Sequence, residues 1–159
     1  MSLTRGVVVC TTILAASAYG GCGGAVEVTD PELPAGQETA CRALLEALPD
    51  ELGGLERAEV EPDDALGAAW GDPAIELRCV GAMPDGHTRI SDCTEINGVG
   101  WYTPDAQLTD FDADLTMTTI GFEPIVELRV PADYRPPLDQ MTEIAAPIKR
   151  TLKVTSRCQ

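Results

Sequence analysis

The stretch that decides the fold of this chain is Ala69-Trp70-Gly71-Asp72-Pro73-Ala74-Ile75-Glu76-Leu77-Arg78-Cys79. From residue 74 to 80, apolar and charged side chains alternate, which predicts a half-buried strand with Ile75, Leu77 and Cys79 on its inner face. Gly71 and the Asp72-Pro73 pair predict a turn before this strand. Because Pro-Asp-Asp at 62–64 is typical of a helix start, we expect a short helix over 62–70.

Two longer helices are predicted near the ends of the chain. The first runs from Thr39 to Leu48, where apolar side chains and Cys41 recur on one helical face. The second begins at about Leu138 and is expected to end or kink at Pro147, because an internal proline removes a helical hydrogen bond. Residues 148–158 would then form a tail that returns to the body.

The segments between these helices have the patterns of short strands. They lie at 55–60, 90–96, 99–103, 115–120 and 125–130. Asn97-Gly98 is a strong signal for a two-residue hairpin turn, since both residues tolerate positive φ. The polar, acidic residues 104–114 predict a loop. We therefore expect a single small α+β domain, with an antiparallel sheet of about five strands, an N-terminal and a C-terminal helix, and two disulfides.

The first 21 residues resemble an export signal. Arg5 supplies a positive charge, and residues 6–18 form an uncharged apolar run that is far shorter than the roughly 20 residues needed to span a bilayer. Tyr19-Gly20-Gly21-Cys22 resembles a bacterial lipobox, in which Cys22 receives acyl chains such as palmitate and becomes the new N-terminus. The alternative is ordinary cleavage after Ala18, which would release a soluble protein.

Cysteine parity favours the lipoprotein. Cleavage after Ala18 would leave an odd set of five cysteines, whereas acylation of Cys22 leaves four, an even set suited to an oxidising compartment. The predicted organisation is a lipoprotein signal at 1–21, a flexible tether at 22–38 and a disulfide-stapled domain at 39–159. Residues 25–29 have an alternative interpretation as an edge strand.

Four cysteines allow three pairings, and their spacing alone does not choose among them. The preferred pairing joins Cys79 to Cys93, across the strands that flank the loop at 81–91, and Cys41 to Cys158. Metal ligation is the alternative for such a set, but the sequence has no Cys-x-x-Cys spacing and only one histidine, His87. The sequence thus predicts structural disulfides, with no metal and no cofactor.

Charge and motif content exclude several functions. The net charge of −15 argues against nucleic acid, because phosphate binding requires a basic surface. No serine-nucleophile or phosphate-binding motif is present after the export segment. Asp110, Asp112 and Asp114 have the opening spacing of a calcium loop, but Leu115 and Gly121 occupy the positions where that loop needs Gly and Glu. A solvated acidic loop is favoured over a weak cation site that would also include Asp105.

Several segments together resemble a known family. They are residues 69–79, Cys41-Arg42-Ala43-Leu44, Asn97-Gly98-Val99-Gly100-Trp101 and Thr118-Thr119-Ile120-Gly121-Phe122-Glu123-Pro124. These segments, their order along the chain and the set of cysteines resemble the actinobacterial domain of unknown function 3515 family. The resemblance covers most of residues 39–158. The resemblance implies a secreted or lipid-anchored envelope domain, and it carries over no activity and no catalytic residue.

The functional expectation is a non-enzymatic lipoprotein anchored through Cys22 on the outer face of the cytoplasmic membrane. It would bind an envelope protein or another ligand whose identity the sequence does not reveal. The first alternative is an envelope hydrolase or metal-assisted enzyme that uses the acidic loop with His87. The second alternative is a structural or assembly factor.

Overall fold

The structure is a computed structural model that describes residues 24–29 and 32–158. The predicted signal at 1–21 and the predicted acylation site, Cys22, lie outside the described residues. In the described part, no helix has both the length and the apolar character required to cross a membrane.

The described chain contains three helices, one 3-10 turn and twelve short strands. The helices are α1 (Gln37–Ala47), α2 (Asp105–Thr109) and α3 (Leu138–Thr151), and a 3-10 turn occupies Ala132–Tyr134. The strands are β1 (Val26–Glu27), β2 (Glu51–Leu52), β3 (Leu55–Ala58), β4 (Val60–Glu61), β5 (Gly67–Trp70), β6 (Ile75–Val80), β7 (Thr94–Ile96), β8 (Val99–Tyr102), β9 (Leu115–Ile120), β10 (Phe122–Glu123), β11 (Ile125–Val130) and β12 (Lys153–Val154).

Eight of these strands form one sheet in the order β2-β3-β5-β6-β11-β9-β8-β7, and every neighbouring pair is antiparallel. The α+β class and the antiparallel sheet were predicted from the sequence, but the expected number of about five strands is wrong. The sheet is larger because β2 and β5, which were not predicted as strands, extend it around the predicted strand β3. Two small pairs, β1 with β4 and β10 with β12, flank it.

The helix predicted over 62–70 is wrong, because residues 67–70 form strand β5. All four residues of β5 are buried, so both of its faces are covered and its apolar side chains do not alternate with polar ones. A continuous apolar run of this kind does not distinguish a buried strand from a short helix. Gly67 adds a tertiary reason: a Cβ there would lie 2.9 Å from the carbonyl oxygen of Leu77, so only glycine allows this close approach.

The strand and the hairpin at the centre of the prediction are confirmed. In β6, the inner residues Ile75, Leu77 and Cys79 have no exposed surface, whereas Glu76 and Arg78 are partly exposed on the other face. Asn97 and Gly98 have φ of 49° and 81° and connect β7 to β8. This agreement follows from local rules, namely strand alternation and the turn chemistry of Asn-Gly.

The alternative that the last helix ends at Pro147 is wrong, because α3 continues to Thr151. Ile144, Ala145 and Ile148 are buried on both sides of the proline, and α3 packs against α1. Interior proline costs a helix about 3 kcal/mol, and burying several aliphatic side chains at about 1.5–3 kcal/mol each outweighs that cost. Packing therefore overrides the local preference.

Helices α1 and α3 cover one face of the sheet, which we call the helix face. By strand register, the residues of β6, β11 and β9 that point to this face are Ile75, Leu77, Cys79, Val126, Leu128, Val130, Leu115 and Met117. They are all buried and belong to one core cluster with Leu44, Ile144 and Ile148 of the helices. The core thus lies between the helix layer and the sheet, at the middle strands.

Within the tether predicted at 22–38, the alternative edge strand forms at residues 26–27, and residues 37–38 belong to α1. The amide of Val26 donates to Glu59 O at 2.8 Å, and that of Val28 donates to Glu61 O at 2.9 Å. Val28 is 3% exposed and packs where Gly67 lacks a side chain. Sequence patterning misses this strand because two residues carry no measurable period, and its partner is distant in sequence.

Candidate functional site

An open groove lies between the start of α3, the segment that contains α2 and the helix face of β8 and β9. Its volume is about 560 Å³, within the size range of ligand sites in proteins. We call it the apolar groove, and its lining residues are Thr94, Trp101, Thr103, Leu108, Phe111, Leu115, Met117, Ala132, Arg135, Pro136, Pro137 and Met141. Most of these side chains are apolar, and the exceptions are two threonines and Arg135.

The floor of the apolar groove belongs to the sheet. Register pairs Trp101 with Thr119 and Met117 with Leu128, which places the Trp101 and Met117 side chains on the helix face. Both are about 1% exposed, so the floor is rigid core rather than loose surface. The floor therefore adds almost no exposed surface of its own, and the apolar surface open to solvent is that of the rim.

The rim of the apolar groove carries unusually exposed apolar side chains. Leu108 in α2 is 48% exposed, and Phe111 just after it is 74% exposed. The sequence has only two phenylalanines, so one of the largest apolar side chains available is held in water. Isolated exposed apolar residues are common, but two of them beside an apolar hollow are typical of a binding surface.

Arg135 holds the rim in place. Its Nη1 donates to Asp110 O at 2.6 Å and to Ala113 O at 2.9 Å, and its Nη2 donates to Gln107 O at 3.1 Å. These three carbonyls lie at the end of α2 and in the following turn, where no helical or sheet partner is available. The guanidinium therefore orders the segment that presents Leu108 and Phe111.

One buried polar group of the floor lacks a partner. The indole Nε1–H of Trp101 is buried, and no acceptor for it lies among the described residues. An unpaired buried donor costs about 1–3 kcal/mol, so such groups in native proteins usually have a reason. The Nε1 atom has almost no accessible surface, so this unpaired donor belongs to the core beneath the groove.

The opposite face of the sheet carries a network of charges rather than a hollow. Arg129 pairs with both Glu76 and Asp114, and Arg78 pairs with Glu127 on the adjacent strand. Burial alone lowers the pKa of Arg129, but its hydrogen bond to Asp114 and the charges of Glu76 and Asp114 outweigh that effect and raise it. Two cations and three anions take part, each has an oppositely charged partner, and the pairs join neighbouring strands.

The structure separates the residues of the predicted acidic and histidine site. The His87 ring contacts the Tyr102 ring edge-on, with centroids 5.1 Å apart. Tyr102 follows Trp101 in β8 and so points away from the apolar groove. Asp110 accepts from the amide of Asp112, and none of the three aspartates at 110, 112 and 114 lines the groove. Within residues 24–29 and 32–158, no group of three His, Cys, Asp or Glu side chains is arranged to hold a metal ion.

The predicted disulfide pairing is wrong, although the same four cysteines are paired. Cys41 bonds to Cys79, with Cα atoms 6.1 Å apart, and Cys93 bonds to Cys158, with Cα atoms 5.7 Å apart. Cys79 points to the helix face and meets α1. The sulfurs of the other pair lie against Gly100, whose neighbour Trp101 occupies the helix face. Cys79 and Cys93 thus lie on opposite faces of the sheet, so they cannot bond.

Sequence patterning missed the apolar groove. The sequence of residues 104–114 predicts a polar loop, because its four aspartates outweigh the large apolar side chains of Leu108 and Phe111 in the pattern. The available signal was Phe111, an aromatic residue in an otherwise polar segment of a chain that is 4% aromatic. Arg135 gave no signal, because its role depends on carbonyl groups more than twenty residues away in sequence.

Comparison with known proteins identifies a family without a described activity. No curated protein and no solved structure matches the chain. One family model, described as a protein of unknown function (DUF3515), matches residues 3–156, which is nearly the whole sequence. The chain therefore belongs to the DUF3515 family.

Proposed function

We propose that this chain is a non-enzymatic binding module of the cell envelope, held on the outer face of the cytoplasmic membrane through acylated Cys22. The apolar groove is its binding site. The observation that carries this proposal is the combination of a rigid apolar floor with an exposed apolar rim, at Leu108 and Phe111. Leaving that surface in water is unfavourable at about 25 cal/mol per Å², so covering it would favour association.

Two features support export. Two disulfides suit an oxidising compartment, where small domains use them for stability. The lipobox-like sequence before Cys22 supplies the anchor, and two or more acyl chains give stable membrane retention. The described part of the chain adds a geometric consequence. Strand β1 begins at Val26, so a bilayer-anchored Cys22 would be separated from the body by residues 23–25 alone, a reach of at most roughly 14 Å.

The anchor is tested by mass spectrometry of the protein purified from the membrane fraction. We expect an N-terminal peptide that begins at Cys22 and carries acyl chains. A soluble product that begins at Tyr19 would contradict the anchor, and binding by the groove would then have to be considered without a membrane.

The groove is tested with Nile red, a neutral apolar dye whose fluorescence rises in apolar surroundings. Phe111→Ser should weaken dye binding severalfold, because this side chain supplies much of the apolar rim. Ile90→Ser is the matched control, since Ile90 is 93% exposed and lies outside the groove. Equal binding by the wild type and the Phe111 variant would contradict the groove as the binding site.

A further inference from the structure

The two chain segments that supply much of the apolar groove are acidic. Residues 103–114 and 131–141 contain six aspartates and one cation, Arg135, although none of these aspartates lines the groove itself. Five of these aspartates are exposed and have no ion-pair partner among the described residues: Asp105, Asp110, Asp112, Asp133 and Asp139. The sixth, Asp114, is engaged by Arg129. The exposed, unpaired charges of these two segments are therefore of one sign.

We propose that the apolar groove binds a polypeptide segment in which apolar side chains are flanked by Lys or Arg. This inference rests on the proposed binding role of the groove and adds the chemical class of the partner. The apolar side chains of the partner would lie against Leu108 and Phe111, and its basic side chains would face the aspartates of these two segments. Complementary charge of this kind speeds encounter and rejects partners of the wrong sign.

The composition of the groove fits a protein partner better than a small molecule. Aromatic residues, Met and Arg are enriched in the centres of protein interfaces, and the groove contains Trp101, Phe111, Met117, Met141 and Arg135. Its most exposed apolar side chain, Phe111, stands on the rim rather than in the hollow, where it would contact a partner that extends past the opening. Methionine side chains also adapt to varied apolar surfaces.

One further feature is consistent with a peptide. The α2 segment is held by Arg135, so the rim is ordered before binding, which reduces the entropy lost on association. Docking of this face on an anionic bilayer is disfavoured, because the same aspartates would be repelled by the lipid headgroups.

The test uses the full-length lipidated protein in nanodiscs of zwitterionic lipid, so that the bilayer does not attract charged peptides. Three fluorescent peptide sets share two apolar positions and differ only in their flanking residues, which are Lys and Arg, Ser and Gln, or Asp and Glu. Binding is followed by fluorescence anisotropy at low and high salt. We expect the basic set to bind at least about tenfold more tightly than the acidic set, with the preference shrinking as salt screens it.

Variants separate the two parts of the surface. Phe111→Ser should weaken the binding of the basic peptides at least about tenfold, as expected for an interface anchor. The double change Asp110→Asn and Asp112→Asn should reduce the preference for basic over acidic peptides. The affinity for neutral peptides should not change. The matched controls are Ile90→Ser for the apolar change and Asp63→Asn with Asp64→Asn for the charge change, because these residues are exposed and lie outside the groove.

The outcomes distinguish this inference from the proposed function. Equal binding of basic and acidic peptides, or binding that Phe111→Ser does not alter, overturns the inference. If Nile red still binds in a Phe111-dependent manner, the groove is a binding site and only the partner class is wrong. Tighter binding to anionic than to zwitterionic vesicles that Phe111→Ser abolishes would also overturn the inference, in favour of a lipid surface.

Discussion

The guanidinium of Arg135 lies over the ring of Phe111, with its central carbon 5.3 Å from the ring centroid. Arg135 also donates to three carbonyl groups of the same segment, so one side chain both orders the loop and supports its exposed aromatic ring. A cation over an aromatic face contributes about 0.5–1 kcal/mol at an exposed site. This relationship explains how a polar, acidic segment holds an apolar side chain in water in a defined position.

Arg135→Gln should loosen the rim. The variant loses the charged hydrogen bonds to the carbonyls of Gln107, Asp110 and Ala113, and we expect a loss of about 1–3 kcal/mol in the free energy of unfolding. Hydrogen exchange should accelerate more at residues 105–114 than in β6, because exchange in this central strand follows only the global loss of stability. Arg89→Gln, at an exposed position outside the groove, is the control and should leave both measurements as they are. Unaltered exchange at 105–114 in the Arg135 variant would refute its ordering role.

The N-terminal strand should contribute to stability. Val28→Ser removes an aliphatic side chain that is 3% exposed and lies on Gly67, so we expect a loss of about 1.5–3 kcal/mol in urea unfolding. Val154→Ser, at a position that is 54% exposed, is the matched control and should change stability by less than about 0.5 kcal/mol. A Val28 variant as stable as the wild type would mean that residues 24–29 are a free tether after all.

The disulfides can be mapped directly. A non-reduced digest should give one fragment that links Cys41 to Cys79 and another that links Cys93 to Cys158. The bridges close segments of 38 and 65 residues, so the chain-entropy model gives each a contribution of roughly 4 kcal/mol. Replacing both Cys41 and Cys79 by Ala should therefore lower the urea midpoint strongly. A Cys79–Cys93 fragment in the digest would contradict the structure.

The charge network gives a stability term that does not depend on pH in the neutral range. Because the pKa of Arg129 is raised in the folded state, the stability linked to its charge is present below the unfolded pKa and is lost only when the pH rises above that value. Its side chain is 43% exposed, so Arg129→Gln should cost only about 1 kcal/mol for the two pairs. This cost should be constant from about pH 6 to 9 and smaller at high salt.

Arg42→Gln is the control for this network, since Arg42 forms a single exposed pair with Glu38 within α1. Such a pair contributes about 0.3–0.5 kcal/mol. If the cost of Arg129→Gln does not exceed that of Arg42→Gln, or if it changes between neutral and mildly alkaline pH, the proposed account of the network is wrong.

Local chemistry was sufficient for much of the framework. The alternation around Ile75 and Leu77, the Asn97-Gly98 turn and the apolar stripe of α1 each depend on residues a few positions apart, so the sequence alone predicts them. The same holds for the antiparallel α+β class and for the involvement of four cysteines in disulfides. Family membership, too, follows from the order of short segments along the chain.

Only the tertiary structure decided the features that depend on distant neighbours. Residues 67–70 form a strand because both of its faces are covered. Helix α3 continues beyond Pro147 because the residues before and after the proline are buried. The disulfide partners followed from which face of the sheet each cysteine occupies. The apolar groove arises where the start of α3 meets a segment that Arg135 orders and that lies more than twenty residues earlier in the chain. Within the stretch from Ala69 to Cys79, the sequence therefore determined the turn and the strand, while burial and packing determined the strand before it and the partner of its cysteine.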